Sequence, residues 1–324
     1  MMTSAWSERP AEPDRGVLER AERALIERGT AGGAVTWQVR QRLERPKSTL
    51  FTLEASSGGV RTLWHYKADV VHVDGRYRPD LHRARRRSLE AEQELAEPLR
   101  VAADGVFGVD RALMIDVERL IAVREHVCGR KLGKAYRRLV PGRRGRAGHL
   151  YRSVGSAIRI FEEVGDRREA PANGEELGHY LVNAVNASAE QLSRTAERWA
   201  RSTIGELAPV VAAEGLVWSH GDVSQTNVLT SGDRIGIIDV SWTPQLRCWD
   251  LVRFLARVEC ESPRSAGWTT RLVSQVMDGY GLDLSAPTPQ WRLAQLLRCL
   301  MALRDPSAVV RQHGRDAMLV EMNR

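Results

Sequence analysis

The sequence predicts an α+β protein of two lobes, a small strand-rich N-terminal one and a larger, mainly helical C-terminal one. Three observations predict it. Between residues 34 and 71 apolar and β-branched residues alternate with polar ones, the period of half-buried strands. From residue 149 onward apolar residues recur at helical spacing over long stretches. The chain has 324 residues, too many for one small core and enough for two lobes.

In chain order, residues 1 to 14 are polar and read as a leader. They contain no apolar h-region, so no signal peptide is expected. Val17, Leu18, Ala21, Leu25 and Ile26 share one helical face over 15–29, and Gly29 is the expected stop. Strands are expected at 34–43, 49–55 and 61–71, the last two joined by a Gly58-Gly59 turn. Strong helix formers fill 82–100, and two strands follow at 112–117 and 120–127. These boundaries predict a leader and helix over 1–32, an N-lobe over 33–127 and a C-lobe over 128–324. In the C-lobe, helices are expected at 149–164, 175–206, 249–260, 264–280 and 291–304. Between them stand an apolar run at 215–218 and two short strands, 227–229 and 234–240, around Ser231-Gly232-Asp233.

Composition narrows the function classes. Hydrophobic residues make up 43% and charged residues 27%, values of an ordinary globular protein. A net charge of +7 admits a nucleic-acid partner. However, only Lys47, Lys67, Lys131 and Lys134 among the 48 basic residues are lysines, a bias that a GC-rich genome produces unaided. No helix-turn-helix, zinc or RNA-recognition signature accompanies the charge, so no nucleic-acid partner is expected. The clusters Arg83 to Arg87 and Arg137 to Arg146 read as solvated faces, with a peripheral contact to an anionic membrane as the alternative. Cys128, Cys248, Cys260 and Cys299 form no C-x-x-C pair and no zinc spacing, which suits a reducing compartment. No apolar run approaches the roughly 20 residues of a membrane span. A cytoplasmic protein is expected, and its oligomeric state is left open.

The informative segment runs Ser219-His220-Gly221-Asp222-Val223-Ser224-Gln225-Thr226-Asn227-Val228-Leu229, followed by Ile237-Ile238-Asp239-Val240 and Trp249-Asp250-Leu251. Phosphoryl transfer needs a carboxylate beside the attacking hydroxyl and oxygen ligands for a divalent cation that neutralises the phosphates. A carboxylate and an amide five residues apart across a tight turn, Asp222 and Asn227, supply both from one loop. Asp239, where an apolar strand emerges, supplies a second carboxylate.

This segment resembles the catalytic loop H-G-D-x-x-x-x-N of aminoglycoside phosphotransferases and choline-kinase-like enzymes, which share a protein-kinase-like fold. The resemblance implies transfer of the γ-phosphoryl group of ATP (or GTP), with Mg2+, to a hydroxyl of a small molecule. It makes Asp222 the catalytic base, Asn227 and Asp239 the magnesium ligands, His220 a brace of the loop and Asp250 its buttress. In the N-lobe it makes Lys67 the phosphate-binding strand lysine. Glu90 becomes its helix partner, with Glu94 one turn away as the alternative. Ser48 and Thr49 become hydroxyl donors of a glycine-poor phosphate loop, and the backbone from Glu125 to Val127 the adenine-holding linker. The loop departs from the kinase pattern in carrying no glycine, which supports the alternative of an inactive, pseudokinase-like binding protein. Residues 243–324 hold eleven Arg and eight Asp plus Glu. That balance favours a neutral or anionic acceptor, such as a sugar, an antibiotic or a glycan- or lipid-linked hydroxyl, over a polycationic aminoglycoside.

Overall fold

A computed structural model describes residues 10–45, 47–73, 76–133, 144–170, 174–261, 266–282 and 287–323. The leader up to residue 9 and the arginine cluster up to residue 143 lie outside them. The chain divides into two compact units. One comprises Met1–Val101 with Val109–Cys128, the other Ala102–Gly108 with Gly129–Arg324.

The first unit begins with α1 (Arg15–Glu27). Asp14 caps it by accepting from the Val17 amide (2.9 Å), satisfying one of the four N–H groups a helix start leaves open. Its apolar stripe, Val17, Ala21 and Leu25, joins the sheet core of the first unit. Strands β1 (Thr36–Arg45), β2 (Ser48–Ser57), β3 (Val60–Asp69), β4 (Ala112–Asp116) and β5 (Ile121–Glu125) form an antiparallel sheet in the order β1-β2-β3-β5-β4. β2 alternates buried and half-buried positions along most of its length, whereas edge strand β1 is almost wholly exposed. Phe51, Leu53, Trp64, Tyr66 and Val123 form the buried face. Tyr66 accepts from the Asp14 amide at 3.0 Å, and burial pushes its hydroxyl up to about 12. Helix α2 (Pro79–Ala103) joins β3 to β4.

From Gly129 on, the second unit runs through β6 (Arg130–Lys131), then α3 (Arg144–Gly165), α4 (Gly174–Ser188) and α5 (Arg194–Glu214). The single helix expected over 175–206 is therefore two. A 3-10 turn at Ala189–Gln191 ends α4, and Ser193 caps α5 by accepting from Ala196 N (3.1 Å). A serine that captures a backbone N–H two or three residues on starts a new helix more readily than it continues an old one. Next come β7 (Val217–Ser219), the hairpin β8 (Val228–Ser231) and β9 (Arg234–Ile237), and β10 (Thr243–Gln245). Gly232 takes φ +62 in the hairpin turn. β10 pairs antiparallel with β7. Helices α6 (Trp249–Glu261), α7 (Ala266–Tyr280), α8 (Pro289–Leu303) and α9 (Ala308–Met322) complete the unit.

The α3–α7 contact is unusually close. A Cβ on Gly155 would lie 1.9 Å from the Val276 carbonyl oxygen, and one on Gly279 1.9 Å from that of Arg152. Side-chain-free positions on both helices are what let the backbones meet.

Candidate active site

The candidate loop runs from the end of β7 to the start of β8. Gly221 sits at φ +85 with Ser241 O and Thr243 Oγ1 each 2.8 Å from where a Cβ would be, so glycine is required on both conformational and steric grounds. His220 is fully buried, with its ring against the edge of Phe161 (centroids 5.2 Å apart). Its Nδ1 accepts from the Asp222 amide (3.2 Å), so the ring carries its proton on Nε2 and donates to Ile238 O (3.1 Å). One imidazole thus ties the loop to the segment that follows β9.

Asp222 is more than half exposed, and each carboxylate oxygen has one donor. Oδ1 accepts from Arg253 Nη2 (2.9 Å) and Oδ2 from Asn227 Nδ2 (3.2 Å). Asn227 Nδ2 also donates to Asp222 O (3.0 Å). With the amide nitrogen committed, Oδ1 of Asn227 is the atom left to act as a ligand. Asp239 lies two residues beyond the end of β9, half-buried, at φ +62. That left-handed conformation is uncommon outside glycine, although aspartate tolerates it better than most residues. Oxygen-only donors from one amide and one carboxylate suit a hard cation that keeps water and takes phosphate oxygens as its other ligands. Among the described residues no cluster of three or more His, Cys, Asp or Glu side chains is placed to hold a metal ion.

Asp250, in the first turn of α6, is 1% exposed. Its Oδ2 accepts from Ser219 Oγ and Gly221 N, both at 2.9 Å, and its Oδ1 from Val223 N (3.4 Å). Gln245 donates to the same Ser219 hydroxyl. One turn along α6, Arg253 donates through Nη1 to Gly221 O (2.7 Å) as well as to Asp222, and lies over the Trp249 ring (5.8 Å). Helix α6 therefore grips the loop by both polarities, Asp250 taking its N–H groups and Arg253 its carbonyl and carboxylate. Sequence reading missed Arg253. Its signal was the i, i+3 spacing from Asp250, which puts both on one helical stripe.

Glu162 of α3 supports the start of α6 from below. It is buried, accepts from Cys248 N (2.8 Å) and takes a 2.5 Å hydrogen bond from the Tyr280 hydroxyl. Burial pushes its carboxyl up to about 8 and the Cys248 thiol up to about 12. Cys248 itself holds φ +67, two residues before Asp250.

In the first unit Lys67 is half-buried on β3, between Leu50 of β2 and Ala122 of β5. The other residues expected to serve the nucleotide stand in the following positions. Glu90 pairs with Arg86 four residues earlier (3.0 Å). The buried glutamate of α2 is Glu92, and its partner is Arg124 of β5 at 2.8 and 2.5 Å. Two residues along a helix is a rotation of about 200°, enough to carry Glu90 to the flank and Glu92 to the core. Ser48 and Thr49 are not loop residues. Arg45 of β1 pairs directly with Ser48 of β2, and Ser48 and Thr49 are 4% and 0% exposed. In the 125–127 segment, the Glu125 and His126 amides donate to Arg111 O (2.9 Å) and Leu63 O (3.1 Å), and the Glu125 side chain pairs with Arg111. Val127 is the member of this segment with no backbone partner among the described residues.

The sequence matches no known protein-family model and no curated protein. Solved structures do resemble it. A glucosamine kinase aligns at TM-score 0.50 and 13% identity, over 98% of this chain and 99% of that one. A choline kinase from Cryptosporidium parvum Iowa II aligns at 0.49 and 11%, over 93% of each chain. An ADP-bound aminoglycoside phosphotransferase aligns at 0.47 and 11%, over 95% of this chain and 98% of that one. At such identities the likeness of the glucosamine kinase establishes the fold alone.

Proposed function

We propose that this chain, whose α+β architecture is the protein-kinase-like fold of aminoglycoside phosphotransferases and choline-kinase-like enzymes, moves the γ-phosphoryl group of ATP (or GTP) to a hydroxyl of a small molecule. The observation that carries the reading is Asp222, an exposed carboxylate held at both oxygens on a loop whose backbone is fixed by the buried Asp250. An acceptor hydroxyl hydrogen-bonded to that carboxylate is oriented toward the phosphorus. Its proton passes to Asp222 as the new P–O bond forms, and the bond from phosphorus to the nucleoside-diphosphate oxygen breaks. Asn227 Oδ1 and the Asp239 carboxylate would hold Mg2+, whose chemistry is to neutralise charge on the phosphates. His220 and Asp250 touch no reacting atom and act by keeping the loop in shape. In the first unit, Lys67 is the residue proposed to meet nucleotide phosphate, and the Val127 backbone the adenine. A positioned base contributes typically 10²–10⁴-fold.

One observation favours a second reading, a nucleotide- or partner-binding protein without turnover. The tight β1–β2 connection puts Ser48 and Thr49 in buried strand positions, where the kinase resemblance implies donors of a phosphate loop. Thermal unfolding with ATP, GTP and Mg2+ separates the readings. Ligand at ~100 times its Kd adds about 2.7 kcal/mol and moves the midpoint by a few degrees. A magnesium-dependent shift followed by ADP release with a hydroxyl-bearing acceptor supports the kinase. A shift without ADP release from any acceptor tried supports the second reading, and no shift sinks both nucleotide readings.

A further inference from the structure

We infer that the acceptor carries a negatively charged group, a carboxylate, phosphate or sulfate, bound by Arg253 beside the hydroxyl that is phosphorylated. This rests on the phosphotransferase reading and adds the substrate class. The Arg253 guanidinium lies 2.9 Å from the Asp222 carboxylate and 2.7 Å from Gly221 O. Those contacts use two of its five N–H groups, and no protein acceptor among the described residues is recorded for the others. The side chain is one-third exposed. A hydroxyl in hydrogen-bond reach of Asp222 therefore stands within about 6 Å of a fixed cation with N–H groups to spare.

That position has a chemical meaning. Guanidinium presents paired donors in a plane that matches carboxylate and phosphate oxygens, and it stays charged at any working pH. An anionic group on the Arg253 side meets those spare donors, an ammonium placed there would meet like charge, and a neutral acceptor would leave the donors to water. The next residue on the stripe agrees in sign. Arg257, one turn beyond Arg253 on the same face of α6, is exposed. Of the acids on that stripe, Asp250 is buried and committed to three loop donors, and Glu261 lies a further turn beyond Arg257. The other acid whose contacts are known, Glu259, lies off the stripe and pairs with His313 (2.9 Å) and Arg298 (3.5 Å).

The test compares acceptors of one skeleton with different charge, namely glucuronate and glucose 6-phosphate, glucose, and glucosamine. ADP release from MgATP is read for wild type, Arg253→Gln and Arg257→Gln. The expected result is a kcat/KM for an anionic acceptor at least tenfold above glucose, with glucosamine lowest. Arg253→Gln should remove the preference, and Arg257→Gln should raise KM for the anion more than it lowers kcat. Preference for glucosamine, or an anion preference that survives Arg253→Gln, would overturn the inference. If none of these sugars turns over, inorganic sulfate decides. In the presence of MgATP, 50 mM sulfate should raise the unfolding midpoint of wild type by several degrees more than that of Arg253→Gln/Arg257→Gln. Equal shifts overturn the inference. A wild type that shows no nucleotide-dependent shift at all sinks the kinase reading instead.

Discussion

Arg124 and Glu92 form a two-pronged ion pair, Nε to Oε1 at 2.8 Å and Nη2 to Oε2 at 2.5 Å, with both side chains almost wholly buried between β5 and α2. Parallel charge-assisted bonds of this kind fix the helix azimuthally as well as in height. Removing one partner leaves a buried charge without its counter-ion, whereas replacing both with apolar residues of similar volume does not. Glu92→Leu and Arg124→Met should each lower stability by about 3–5 kcal/mol, and the double variant should recover most of that loss. Urea unfolding of the four proteins measures the coupling. A double variant as unstable as the sum of the singles would show that the pair is incidental.

Gly221→Ala should be costly for a reason separable from the chemistry. The new methyl meets Ser241 O and Thr243 Oγ1 at 2.8 Å, on a residue already at φ +85. Strain of about 1–3 kcal/mol at this position would move the adjacent Asp222 off its line to the acceptor. Turnover should fall at least tenfold. Gly205→Ala in the middle of α5, where nothing lies within 4 Å of the added Cβ, should instead stabilise by up to ~1 kcal/mol.

Glu162 predicts how stability depends on pH. Its folded carboxyl is raised by burial from 4.5 to about 8. Between those values the folded chain holds a proton that the unfolded chain has released. Stability should therefore decline as pH rises from about 4.5 to about 8 and level off above it. The full effect is on the order of a few kcal/mol. Glu162→Gln keeps a hydrogen-bonding side chain of the same shape without the proton, so its unfolding midpoint should be flatter across that window. An unchanged slope would show that the carboxyl is already ionised in the folded protein.

Asp222→Asn should abolish turnover while a nucleotide-dependent rise in unfolding midpoint survives. Asp239→Ala should remove the magnesium dependence of that rise. EDTA added to wild type should reproduce the Asp239→Ala behaviour. A midpoint of Asp239→Ala that still responds to magnesium as in wild type would reassign the cation ligand.

Much of this was legible from the chain. The loop from Ser219 to Asn227 and the two later aspartates stood out because a polar run between apolar strands is rare and its spacing chemically constrained. The strands of the first unit followed from period-two alternation, and the α4–α5 break was missed because Ser193 looks like any serine until its hydroxyl is seen capping Ala196. Helix α9 escaped notice because Val309, Leu319 and Val320 face outward, so no apolar stripe marks it. The pairing of Glu92 with Arg124, and of Arg253 with Asp222, joins residues about 30 positions apart. No periodicity encodes such a meeting. It depends on which helical face the packing turns inward.

The facing glycines of α3 and α7 expose the protein to a different kind of change. Gly155 and Gly279 each leave no room for one carbon atom, and α3 also carries Phe161 against His220 and Glu162 beneath Cys248. A methyl at either glycine pries apart helices that bear none of the proposed reacting groups. Because folded chains have only a few kcal/mol to lose, such a lesion yields a conditional allele, tolerated in the cold and lost in the heat. It offers a genetic handle on the protein that leaves every residue of the phosphoryl-transfer loop in place.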